Sequence, residues 1–242
     1  MFRSTLWDMT PRDHRQSERD FRRRQVVSVV VVLTGALVLG VSLRFDPGSP
    51  WFYPATLLLA AIWAAGAFAS GPLHLGRIGQ PAAPDLIAPR PVIQPLLVGA
   101  ALAVLFVLGA LVLREIPWAE LTGGRFDLSE QVRRVLRHAQ QGHGAILLAV
   151  TVLNGIAEEL FFRGAAYAAI RKHQVLVTTV AYTVATLATG NFMLGFAAIV
   201  LGFVVGLQRR ATGGILAPII THLVWSVSML YALPAIFLGQ AT

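Results

Sequence analysis

Six stretches of this chain contain no Asp, Glu, Lys or Arg at all: 25–43, 47–76, 91–113, 138–157, 173–208 and 211–242. They cover roughly two thirds of its length. A mostly apolar run of about 18 residues or more without charge is the mark of a helix that crosses hydrocarbon. In lipid the backbone must satisfy its own polar groups, and these runs are too long for barrel strands, so helices are the only solution. The expected fold is all-α, a polytopic transmembrane helix bundle.

Spans are expected near 26–43, 51–70, 92–113, 143–170, 174–188, 192–208 and 215–238. That makes seven, with eight as the alternative, because Pro218 and Pro234 leave the last block as either one kinked span or a span plus a terminal segment. Thr189-Gly190-Asn191 divides the 36-residue charge-free stretch 173–208, which is too long for one crossing. Residues 114–142 carry half of the charges between spans. Within them Leu128, Val132 and Val135 lie three to four apart, which predicts a short amphipathic interfacial helix near 128–137.

The net charge of +8 would suggest nucleic acid in a soluble protein. In a membrane protein, basic residues instead gather on cytoplasmic segments and hold the topology, so no nucleic acid is expected. Residues 1–24 carry seven Arg against four acids and read as a polar cytoplasmic arm. With the N-terminus inside, segments 71–91, 171–173 and 209–214 are also inside. The only outward segment rich in Arg, 114–142, offsets its five with four acids. A multi-pass protein of the plasma (inner) membrane, in contact with lipid, is therefore expected. There is no cysteine, which excludes disulfides, thiol catalysis and iron–sulfur clusters. Neither HExxH nor GxSxG occurs, which removes zincins and serine hydrolases with a nucleophile elbow.

The functional argument rests on charges inside a span. Asn154-Gly155-Ile156-Ala157-Glu158-Glu159-Leu160-Phe161-Phe162-Arg163-Gly164 has apolar sequence on both sides. Ionisable groups at such depth are costly and normally face a protein interior or watery cavity where they have a task. Glu159 and Arg163 stand i,i+4 and can pair along one face. Glu158 lies about 100° round the helix and is left over, free to act as general base toward a bound water. Asn154, one turn earlier, is its nearest candidate partner. A Glu–Arg–Glu packing network and a proton or cation relay are the alternatives. A transporter is a third class, but no internal inverted repeat supports it. His222 is the one ionisable residue of the last apolar block, with Ser226 a turn later on the same face.

The segment Glu158-Glu159-x-x-x-Arg163-Gly164, followed far downstream by Ile215-Leu216-Ala217-Pro218 and His222, resembles the CPBP family. That family comprises CAAX prenyl protease 2 (Rce1-type) and Abi-type intramembrane proteases. The resemblance covers roughly residues 143–232. It divides the chain into the arm 1–24, leading spans with the interfacial helix over 25–142, and a CPBP-like core over 143–242.

It implies an intramembrane endopeptidase acting on a membrane-associated peptide or protein through glutamate-activated water. Glu158 would be the base, Glu159 and Arg163 its supports, and His222 the group that orients water or stabilises the oxyanion. Two positions differ from the family pattern. No His occurs between 173 and 222, where the second motif normally brings one; the nearest position is Thr189, and Thr189 and Asn191 are the expected substitute donors. Ser226 stands where Asn or Asp is common. Glu158 with His222 offers two ligands where catalytic zinc usually takes three, so no bound metal is expected, with a divalent ion near that pair as the alternative. A catalytically inactive member serving as a membrane scaffold or chaperone-like partner is the alternative function.

Overall fold

A computed structural model of the chain describes residues 17–78, 89–140 and 144–239. The arm over 1–16 and the Gly/Pro-rich part of the connector, 79–88, lie outside the described residues. The described residues form α1 (Glu18–Ser42), α2 (Phe52–Ser70), α3 (Ile93–Glu115), α4 (Trp118–Thr122), α5 (Leu128–Gln140), α6 (Gly144–Glu159) running into a π-helical segment (Leu160–Ala166), α7 (Gln174–Leu187), α8 (Phe192–Thr212) and α9 (Leu216–Phe237).

Among the described residues six helices are long and apolar enough to cross a membrane: α1, α2, α3, α6 with its π continuation, α8 and α9. The expected span at 174–188 is present as an apolar helix but falls short of that length, so the count of seven is not reached on length and composition alone. α7 has 14 residues, about 21 Å at the α-helical rise, against a hydrocarbon core of about 30 Å. It stops where Gly190 turns the chain at φ 72°. The side chain of Asn191 then starts α8 by accepting from the Leu194 amide at 3.0 Å. The last block is one helix through Pro218 and Pro234 rather than two segments. Pro218 falls in the first turn, where no intrahelical donor is required.

α1 also begins earlier than the composition suggests. Ser17 caps it by accepting from the Asp20 amide, so the basic cluster up to Arg24 is helical. The expected amphipathic helix near 128–137 is present as α5. Asp127 accepts from its Glu130 amide, and Leu136 and Val132 pack on Ala110, Leu113 and Phe237 at the ends of α3 and α9.

Packing is inside-out relative to a soluble protein. Large apolar residues such as Leu33, Leu37, Leu97, Val112 and Val184 are exposed on the outer faces, where a lipid environment accepts them and water would not. The helices close in the order α1, α2, α6, α9, α8, α7 and back to α1, each packed on the next, while the π segment touches α1, α2, α7 and α8. The central element is therefore the one that carries the intramembrane charges. Small residues permit this density. A Cβ on Gly35 would overlap the Trp63 indole, and that indole stacks on Phe161 with centroids 4.9 Å apart.

One end of the bundle is tied by an extended strap, Gly71 to Ile78. Its His74 and Leu75 carbonyls accept from the amides of Ile215 and Leu216, and its Arg77 amide donates to the Thr212 carbonyl. The first amides of α9, which lack helical partners, are satisfied this way. Gly76 and Gly214 are required at this crossing, since a Cβ on either would collide with the other strand's backbone.

Candidate active site

The expected single α-helix over 143–170 changes its winding at the site. It is α-helical to Glu159 and π-helical over Leu160–Ala166. A π turn leaves backbone groups differently paired from an α turn and is often found at functional positions. Here the Arg163 carbonyl accepts from the Arg209 Nε of α8 at 2.7 Å. The winding is thus supported from outside the helix.

Glu159 and Arg163 pair as the i,i+4 spacing predicts, at 3.1 Å, with both side chains fully buried. Arg163 also donates from Nη2 to the Gly202 carbonyl at 3.2 Å. Glu159 Oε1 takes a second partner, His222 Nδ1, at 2.7 Å. With the carboxylate on Nδ1, that nitrogen carries the proton as donor, and Nε2 is turned to the other side of the ring. Nε2 lies 4.0 Å from Glu158 Oε2, too far for a direct hydrogen bond. The side chain of Glu158 is 17% exposed against 6% for His222, so Glu158 is the more accessible of the two facing groups in an otherwise buried cluster.

Four of the residues singled out from sequence therefore come together: Glu158, Glu159, Arg163 and His222. The others do not join them. Asn154 donates to the Val150 carbonyl of its own helix and not to Glu158. Thr189 bonds to the Thr186 carbonyl, and Asn191 donates to the Gln131 carbonyl of α5 while capping α8. These two residues build the turn between α7 and α8. Among the described residues no hydrogen bond links Ser226 to the cluster.

The residue missed in the sequence is Tyr182 of α7, whose phenol donates to Glu158 Oε2 at 2.6 Å. Its ring lies 4.9 Å from the Arg163 guanidinium carbon. The available signal was weak: one tyrosine in a long charge-free stretch, on a helix with no motif around it.

As a metal site the donors fit poorly. Glu159 Oε1 is committed to Arg163 and His222, which leaves Glu158 and the His222 Nε2 as the pair facing each other. Among the described residues no group of three or more His, Asp or Glu side chains is arranged to hold a metal ion, where a catalytic zinc takes three protein ligands.

Residues 141–228 match the model of the Rce1-like family, described as type II CAAX prenyl endopeptidase Rce1-like. The matched stretch takes in the whole cluster, from α6 through His222 on α9, and leaves α1, α2 and α3 outside it. No curated protein and no solved structure gave a significant match.

Proposed function

We propose that this chain, a multi-pass membrane protein and a member of the Rce1-like protease family, is an intramembrane endopeptidase that cleaves a membrane-associated peptide or protein with a glutamate-activated water. The observation that carries the reading is the facing pair, Glu158 Oε2 and His222 Nε2, 4.0 Å apart. A water about 2.8 Å from each would bridge them with ordinary hydrogen-bond lengths.

The reaction then runs as follows. Glu158 takes a proton from the water as its oxygen bonds to the scissile carbonyl carbon, and the carbonyl π electrons move onto oxygen. His222, held through Nδ1 by Glu159, presents Nε2 to the tetrahedral oxyanion. A proton on Nε2 is what lets that nitrogen donate to the oxyanion. Glu158 returns its proton to the departing amine as the carbon–nitrogen bond breaks. No covalent intermediate forms on the protein, and no step is routed through a metal, since among the described residues the donors make no three-ligand site.

The same reading puts the N-terminus on the cytoplasmic side of the plasma membrane. What supports this is the gathering of basic segments at one end of the bundle. Arg24 donates to the Pro72 carbonyl, Arg171 pairs with Glu18, and Arg77 reaches Thr212 through its backbone. Cytoplasmic ends carry this bias. At the other end Arg133 and Arg137 are matched by Asp127 and Glu130.

The test uses protein purified in mild detergent and incubated with a library of membrane peptides, with products read by mass spectrometry. Cleavage by the wild type and none by Glu158→Gln is the expected result. Equal product from the two folded proteins would remove the protease reading. Equal absence of product, with an active relative cleaving the same library, would leave a membrane scaffold in its place.

A further inference from the structure

We propose that Tyr182 is the positioning residue for Glu158, its phenol fixing the carboxylate in the orientation from which it takes the proton of the attacking water. The inference rests on the protease reading above and adds a residue to it that neither motif contains. Three observations support it.

The first is the choice of acceptor. A half-buried phenol in a transmembrane bundle needs one acceptor, and a backbone carbonyl would serve. Tyr182 instead donates to the one carboxylate that Arg163 leaves unpaired. Among the described residues it makes the only hydrogen bond to the Glu158 carboxylate.

The second is that the ring is itself held. The Arg163 guanidinium lies 4.9 Å over its face, and Phe162 packs at 4.9 Å between centroids. Glycine at 202 makes room for this: a Cβ there would stand 3.1 Å from Arg163 Nη2 and 3.3 Å from Tyr182 Cδ1.

The third is the symmetry of support. Glu159 orients His222 on one side of the bridging position, and Tyr182 orients Glu158 on the other. Arg163 touches both supports. No other side chain of α7 reaches the carboxylate: Thr178 bonds back to Gln174 and Thr186 to the Tyr182 carbonyl.

The experiment takes a peptide whose cleavage requires Glu158 and measures kcat and KM for full-length Tyr182→Phe in detergent. The ring contacts survive this change and only the O–H is lost. The expected result is a kcat lower by about 10- to 100-fold, the scale of a misplaced catalytic group, with KM within about twofold and an unchanged thermal midpoint. A structural role would lower the midpoint or the yield and leave kcat per folded molecule as it was.

Fluorotyrosines at position 182 provide a series that retains shape and alters donor strength, and they decide the matter if the Phe variant folds poorly. A rate that follows phenol acidity supports the assignment. A flat series, or full kcat in Tyr182→Phe, overturns it. Neither of those outcomes touches the protease reading, which stands or falls with Glu158→Gln.

Discussion

Replacing Arg163 with Ala should destabilise the bundle more than any other single change at the site. The guanidinium is fully buried and faces a fully buried Glu159 carboxylate at 3.1 Å. Taking it away strands that charge, at a cost of about 3–5 kcal/mol. The Gly202 carbonyl also loses its donor, and the Phe162 and Tyr182 rings lose a cation. One compensation remains, because His222 Nδ1 still donates to Glu159, so the expected value is near the lower limit, about 3 kcal/mol. At about 2–4 °C per kcal/mol for a chain of this size, the thermal midpoint in detergent should fall by about 6–12 °C.

The assay is thermal unfolding of the purified variant beside a double variant, Glu159→Gln with Arg163→Met, which removes the charge along with its partner. Replacing both members of a buried pair is often near neutral. The double variant should therefore recover most of the loss, a coupling of about 2 kcal/mol or more. A midpoint for Arg163→Ala within about 2 °C of wild type, less than 1 kcal/mol on that scale, would refute the idea that Arg163 neutralises Glu159. So would a double variant no better than the single.

Two further outcomes follow from packing. Asn191→Ala removes the cap of α8 and its bond to Gln131, so stability should drop by about 1 kcal/mol while kcat per folded molecule holds. A tenfold fall in kcat in a well-folded sample would instead restore Asn191 to the site. Gly35→Ala drives a methyl into the Trp63 ring and should cost about 1–3 kcal/mol by overpacking, read as a lower thermal midpoint. An unchanged midpoint would show that α1 and α2 can separate freely at that contact.

Much of the architecture was legible because lipid imposes a local rule. Each crossing must be a charge-poor helix of sufficient length, and α1, α2, α3, α8 and α9 all begin and end within a few residues of the spans expected for them, apart from the N-terminal extension of α1 and the C-terminal one of α8. The Glu159–Arg163 pair was legible for the same reason, since an i,i+4 spacing is decided by one helix alone. The length of α7 was not. The 173–208 run shows where it can turn but not that 14 residues suffice for a helix flanked by α1 and α8.

The sequence by itself determined the helical class, the membrane setting and the isolation of Glu158 from the adjacent ion pair. It could not say what Glu158 would meet. Asn154 and Thr189 were the near choices along the chain, yet the partner is Tyr182, 24 residues away on a helix that packs on the π segment. The π turn is of the same kind, supported by Arg209 from α8. Bringing His222 to Glu159 likewise depends on α6 and α9 lying side by side. Contacts within one helix follow from a fixed 3.6-residue period. Contacts between helices depend on their rotation and tilt, which are set jointly by every small and large residue at the interfaces. Only the tertiary structure solves that packing problem, and the site is assembled by its solution.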